Sequence, residues 1–289
     1  MQTMIGIIGG SGVYQIEGLE GGSWVTVASP WGKPSDQVLV GRMAGVAMAF
    51  LPRHGRGHLL GPSGVNYRAN IDALKRMGCT DVVAVSAVGS LREEYAPGDF
   101  VLVDQYIDRT FARETSFFGN GCVAHVSLAD PTCARLSDAV ARAAPKGVTL
   151  HRGATYLAME GPQFSTRAES RMYRQWGADV IGMTGMPEAK LAREAEMCYA
   201  CLAMVTDYDC WHPDHGAVDV SQVIQTLTAN AAAARALTSD LPARLGPTHD
   251  ACPQGCDHAL TNAMMTAPDQ RDAGLLGKLD AITARCLRT

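Results

Sequence analysis

Short aliphatic and β-branched runs recur along this 289-residue chain, and most are separated by stretches long enough to hold a helix. They fall at residues 5–8, 37–40, 46–51, 81–86, 100–103, 154–158, 178–182 and 201–206. Runs of this length favour extended backbone, because β-branched side chains pack well on a pleated surface. Three intervening stretches carry helix signals of their own. In NYRANIDALKRMG, Ile71, Leu74 and Met77 recur three apart, and Gly78 supplies the left-handed residue that closes a helix. STRAESRMYRQWG offers Ser165 or Thr166 as an N-cap, with Glu169 close behind and Gly177 at its end. MPEAKLAREAE opens with Pro187 and Glu188, whose fixed φ and negative charge suit a first helical turn. Strands that alternate with helices need crossover connections. The expected class is therefore α/β, with a mixed, mainly parallel central sheet flanked by helices.

No repeat, low-complexity tract or long linker divides the first 220 residues. The proline- and glycine-bearing stretch 242–255 is the one plausible break, setting residues 1–245 as an α/β domain and 246–289 as a short helical C-terminal extension of it. A composition 47% apolar and 19% charged suits a globular core. The net charge of −4 argues against nucleic acid or an anionic membrane as the main partner. Apolar runs such as residues 199–205 are far too short to span a bilayer, and the first residues do not read as a secretion signal. A cytoplasmic location is the expectation. The nine cysteines are scattered, which favours reduced, buried thiols. One group is denser, HDACPQGCDHAL, with His249, Cys252, Cys256 and His258. Structural zinc usually takes Cys-x2-Cys pairs, so this Cys-x3-Cys spacing is a weak metal signal, and a loop of plain or disulfide-prone thiols without metal is expected.

The first strand feeds Gly9-Gly10-Ser11-Gly12. A dinucleotide fingerprint needs a third glycine at a fixed offset, and a P-loop needs Gly-Lys-Ser/Thr; neither is present. What is left is flexible backbone whose N–H groups, with the Ser11 hydroxyl, suit an oxyanion, or else an ordinary strand-to-loop turn. LPRHGRGH places Arg53, His54, Arg56 and His58 after a strand, either a phosphate-recognising cationic loop or a solvated basic turn. In VSAVGSLREEYAPGD the hydroxyl of Ser86 falls at a strand end, where ligands collect in open α/β sheets. YLAMEGPQFSTRAES sets Phe164 and Ser165 directly before a helix, where the ring either stacks on a heterocycle or serves the core. MVTDYDCWHPDH runs a strand into Asp207 and Asp209, two carboxylates at alternate positions that suit one polar edge of a ligand, or else turn and cap aspartates.

Together with IGIIGGSG, VNYRANI and GADVIGMTGMPEAKLAREAE, these motifs resemble the trimeric purine nucleoside phosphorylase family, in its branch that acts on 5′-methylthioadenosine. The likeness runs in one order from about residue 4 to about residue 240, and CPQGC is closer to bacterial members than to animal ones. The resemblance implies phosphorolysis of methylthioadenosine to adenine and 5-methylthioribose 1-phosphate. It assigns Ser11, Arg53, His54, Ser86, Ala87 and Thr184 to phosphate, with serine at 11 and 86 where threonine is common. It sets Met183 against the ribose through its backbone, Phe164 over the purine, and Ser165, Asp207 and Asp209 along its polar edge, Asp207 being the acid that protonates N7. His125, Val220 and Val223 would surround the methylthio group, with His125 supplied across a subunit interface of a homotrimer or a dimer of trimers. Phosphate is a co-substrate, and no metal or organic cofactor, nucleic acid or membrane is implied. A 6-oxopurine nucleoside or methylthioinosine phosphorylase is the alternative, and a non-catalytic purine-binding protein a remoter one. The Asp207-x-Asp209 pair favours adenine, because a carboxylate accepts from an exocyclic amine whereas O6 needs a donor.

Overall fold

The run that opens the chain lies near the middle of a nine-stranded sheet, in a computed structural model that describes residues 1–10, 18–216 and 218–287. β1 (Met4–Gly9) pairs in parallel with β4 (Val46–Pro52) on one side and β5 (Asp81–Ser90) on the other. Its residues alternate between two cores: Ile8 packs in one, Ile5 and Ile7 in the other. A strand covered on both faces reads as a continuous apolar run, which is what residues 5–8 show. β3 (Val38–Met43) and β2 (Glu20–Val25) extend the sheet antiparallel beyond β4. On the other side β5 pairs with β8 (Val180–Gly182) and with β9 (Cys198–Asp207); β6 (Phe100–Arg109) and β7 (Leu150–Met159) complete the circuit from β9 back to β8. Five strands thus close on themselves at one end of the sheet. Pairing is mixed, with β5–β8 and β6–β9 antiparallel inside this closed part. The sequence did not signal β2, because EGGSWV is glycine-rich and mostly exposed.

The three expected helices form, α3 with one of its two expected N-caps, Thr166, and α1 with a cap that was not expected. The Asn66 side chain accepts from the Ala69 N–H at the start of α1 (Tyr67–Arg76). α2 (Ala134–Ala143) lies between β6 and β7. Thr166 and Glu169 make a reciprocal capping box on α3 (Arg167–Gln175). In α4 (Gly185–Glu194) Met186 is non-helical, so the regular turns begin at Pro187. α2 and α5 (Val220–Leu245) cover the face of Ile5 and Ile7; α1 and α4 cover the face of Ile8. The C-terminal residues bear α6 (Ala273–Lys278) and α7 (Ala284–Leu287). They join both cores, through Leu260, Leu279 and Ile282 on one face and Cys252 and Cys256 on the other. Among the described residues no helix is long and apolar enough to cross a membrane.

Candidate active site

β1, β4, β5 and β9 run parallel, so their carboxyl ends open on one edge of the sheet. Gly9, Arg53 and Asp207 lie at those ends, where α/β sheets collect ligands, whereas Ser86, expected at a strand end, lies inside β5, because the strand runs on to Ser90. Ser11 lies outside the described residues. Ser86 is buried on β5, next to half-buried Ala87, with its Oγ 3.1 Å from Oγ1 of buried Thr184 and 3.3 Å from the Tyr156 hydroxyl. The Thr184 N–H donates to that same tyrosine oxygen at 3.3 Å. Tyr156 reaches this position because residue 182 is glycine: a Cβ there would overlap its hydroxyl. Burial raises the Tyr156 pKa, so the phenol keeps its proton. Three neutral hydroxyls thus converge on a floor that can turn donors toward an anion.

The sequence reading set Arg53 in an open cationic loop, but the side chain turns inward and is 2% exposed. Its Nε and Nη2 donate to the Glu188 carboxylate at 2.5 and 3.1 Å, and Nη1 and Nη2 donate to the carbonyls of Val85 and Ile8 at 2.9 and 3.3 Å. Four of five guanidinium N–H groups are so engaged. The reason is Glu188, a carboxylate buried at 1% exposure that no water reaches and that must be neutralised. Burial alone would weaken the Arg53 charge, but Glu188 more than restores it and holds the pKa above its ordinary value. His54 follows on the surface side. Its Nδ1 lies 2.8 Å from the Leu60 carbonyl, which assigns the ring proton to Nδ1 and leaves Nε2 an acceptor. Burial, then the neighbouring Arg53 charge, lowers its pKa to about 4, so the ring is neutral.

At the end of β9, Gly89 makes room for the first carboxyl: a Cβ on it would stand 2.8 Å from Asp207 Oδ1. Asp207 accepts from the Asp209 N–H at 2.8 Å, and its Oδ2 lies 2.7 Å from the Thr206 hydroxyl. Burial is the largest influence on both carboxyls and raises both pKa values; for Asp209 the Asp207 charge adds to the rise. Asp209 is 4% exposed and holds a left-handed backbone, φ 49°. The Cys210 thiol donates to the Ser165 carbonyl at 3.3 Å, tying the aspartate loop to the one bearing half-buried Ser165 and Phe164, which is 43% exposed.

Arg113 and Glu160 escaped the sequence reading, yet they fix Met183. Arg113 Nη1 donates to the Met183 carbonyl at 2.6 Å and to that of Met186 at 2.7 Å, while Nε donates to Glu160 at 3.1 Å. The Glu160 carboxylate also accepts the N–H groups of Phe111 and Ala112 and the Ser63 hydroxyl. Burial works against its charge, but these donors win and bring its pKa down to about 2. Because the Met183 carbonyl is taken, its backbone can offer a ribose hydroxyl chiefly the N–H. The three residues set against the methylthio group lie at the surface. His125 is exposed, Val220 is 58% exposed in the first turn of α5, and half-buried Val223 belongs to neither core.

Residues 4–241 match the family model of the phosphorylase superfamily. The S-methyl-5′-thioadenosine phosphorylase of Cereibacter sphaeroides is 67% identical over the whole of both chains, and that of Rhodospirillum rubrum is 59% identical over 99% of this chain and 98% of its own. Among solved structures, a methylthioadenosine phosphorylase from an antarctic soil metagenomic library superposes with a TM-score of 0.89 at 48% identity, covering 97% of this chain and 98% of the other. The Schistosoma mansoni methylthioadenosine phosphorylase in complex with adenine gives a TM-score of 0.81 at 35% identity, over 90% of this chain and 98% of the other.

Proposed function

The chain belongs to the phosphorylase superfamily, and we propose that within it the protein cleaves 5′-methylthioadenosine with phosphate, releasing adenine and 5-methylthioribose 1-phosphate. One observation carries the reading at the level of the site: a buried hydroxyl floor and a carboxyl pair, Asp207 half-buried and Asp209 buried, occupy one edge of the sheet, at different heights along neighbouring strands. Gly89 is in register with Asp207, and Ser86 lies three residues earlier on β5. At about 3.3 Å per residue the two groups stand roughly 10 Å apart along the strands, which leaves room for a ribosyl unit between an anion and a purine.

The N-glycosidic bond breaks toward an oxocarbenium-like cation, and phosphate on the floor both stabilises that cation and captures C1′. Ser86, Thr184 and the Ala87 backbone hold the phosphate, and Ser11 is assigned to the same anion. Arg53 contributes its remaining N–H and its charge. Neutral His54 presents Nε2 as an acceptor for a protonated phosphate oxygen. The leaving adenine needs a proton at N7, and Asp207, whose pKa burial raises, is the acid that supplies it. The Thr206 hydroxyl donates to the Asp207 carboxyl and works against the protonated form, so burial is what holds the proton there. Asp209 and Ser165 read the purine edge, Phe164 stacks on its face, and Met183 lies against the ribose. Catalysis draws on no metal or organic cofactor. The reaction belongs in the cytoplasm, where thiols stay reduced.

His125 of one chain would complete the pocket of Val220 and Val223 in another, within a homotrimer or a dimer of trimers; exposure of all this lining except Val223 supports that reading. Dilution to monomers should then abolish turnover, and sedimentation run beside the assay checks it. The central test is kcat/KM with methylthioadenosine and methylthioinosine, each with and without phosphate, for the native protein and for Asp209→Asn. Phosphate-dependent release of adenine is expected. An amide at 209 can donate to O6, so the substitution should cost methylthioadenosine roughly tenfold to a hundredfold and spare methylthioinosine. An unchanged ratio would remove Asp209 from the 6-position, and native preference for methylthioinosine would favour the 6-oxopurine alternative.

A further inference from the structure

We propose that Cys133, Cys198, Cys252 and Cys256 bind one zinc ion as a structural tetrathiolate that fastens residues 246–289 to the α/β sheet. The proposal is independent of the catalytic reading. The four sulfurs all lie within 4.8 Å of one another, with Cys133 Sγ 3.6 Å from Cys252 Sγ. A zinc ion about 2.3 Å from each of four tetrahedral sulfurs sets them about 3.8 Å apart, so the cluster already has nearly the size the ion requires. All four side chains are buried, the most open being Cys252 at 7% exposure. A buried, tetrahedral all-sulfur set is one that zinc or iron takes, and zinc, which is redox-inert and has no geometric preference of its own, is the ion proposed.

The dense stretch 249–258 is therefore only half of the set, and its histidines are not part of it. His249 Nδ1 lies 2.9 Å from Asp81, and His258 lies 3.0 Å from Asp257. The other two thiols come from the sheet domain: Cys133 is the residue preceding α2, and Cys198 opens β9. Cys252 and Cys256 flank a turn in which left-handed Gly255 donates to the Cys252 carbonyl at 2.8 Å. Three features offset the negative charge of four thiolates. Cys133 sits at the N-terminus of a ten-residue helix, the positive end of its dipole. The Cys256 N–H lies close enough to Cys252 to favour its thiolate. The Arg135 guanidinium faces Cys198. Binding displaces four thiol protons and oxidises nothing. Two chain segments 119 residues apart at Cys133 and Cys252 become linked through the ion.

The test uses the full chain purified without chelator. Metal analysis by plasma mass spectrometry should find about one zinc per chain. Thiol titration of the denatured protein should find all nine cysteines reduced. Cobalt(II) added to zinc-stripped protein should give the intense visible and near-ultraviolet bands of a tetrahedral all-thiolate site. Cys252→Ser/Cys256→Ser should lose the zinc and expose residues after 245 to trypsin while the sheet domain stays resistant. If that variant does not fold, the cobalt spectrum of the unaltered protein decides. A titration four thiols short with no zinc, meaning two disulfides, overturns the proposal. So does a cobalt titration that yields no all-thiolate spectrum.

Discussion

The floor formed by Ser86, Tyr156 and Thr184 is buried and paired within the chain, whereas Phe164, Val220 and His125, set against the base and the 5′ substituent, stand in solvent. The floor rests on Arg53 and Glu188, which are almost fully buried and pair with each other. If phosphate binds there as proposed, it meets hydroxyls already in place, so little reorganisation is needed when charge develops. The rim is the opposite case. Its apolar side chains gain burial only when a ligand or a second chain covers them, so they add to affinity without adding to the stability of the free chain. Floor substitutions should therefore cost folding free energy, and rim substitutions should cost substrate affinity alone.

The largest effect tests the support of the floor. Arg53→Ala leaves the Glu188 carboxylate buried without its cation, and breaking a buried pair from one side costs about 3–5 kcal/mol. Urea unfolding of the variant and the native protein, with equal m-values, would measure the loss. A loss below about 1 kcal/mol would mean that Glu188 is neutral or solvated, and the floor would not be the rigid region described.

Next comes Asp207, the proposed acid, which is half-buried at the end of β9, between floor and rim. Asp207→Asn should lower kcat for every purine by about a hundredfold or more, with little change in stability. The pH dependence has a definite sign. Burial raises the Asp207 pKa, so the carboxyl holds its proton to higher pH than an ordinary aspartate. The acid form is depleted as pH rises through that value, so kcat should fall on the alkaline side and the Asn variant should lack this limb. A kcat–pH profile of the two proteins checks both statements. An unchanged limb in the variant would assign the proton to another group.

What the sequence disclosed follows the range of the interactions. Asp207 at a strand end and the capping box at Thr166 were legible because a strand end or a helix start and its side chain fall within a few residues, whereas the expected strand end at Ser86 was not met, because β5 runs on to Ser90. Arg53 was legible as a cation but not as an inward one, because Glu188 is 135 residues away. Tyr156 is 70 residues from Ser86, and Arg113 is 47 from Glu160. No local period signals such pairs; the fold alone sets them. Cys252 and Cys256 drew notice through spacing, while Cys133 and Cys198 were hidden among thiols that read as ordinary core. Val220 and Val223 came only through resemblance, since an exposed valine at a helix start carries no chemical signal.

The smallest effect is the sharpest test of the rim. Phe164 is 43% exposed in the loop before α3, and neither core includes it. Phe164→Ala should leave the melting temperature where it is, because an exposed ring contributes little to folding. If the ring stacks on adenine, its loss removes about 0.5–1.5 kcal/mol beyond simple area burial, or roughly a two- to twelvefold rise in the methylthioadenosine KM. The phosphate KM should not move, since no floor hydroxyl depends on residue 164. Phe164→Tyr keeps the ring face and should restore the native KM, whereas Phe164→Leu keeps apolar bulk without the π-face and should recover only part of it. Three measurements then divide the outcomes. A fall in melting temperature would place Phe164 in the support of the fold, and full recovery by leucine would make its contact one of burial and not of stacking. A joint rise of both KM values would join the rim to the floor and dissolve the division between them.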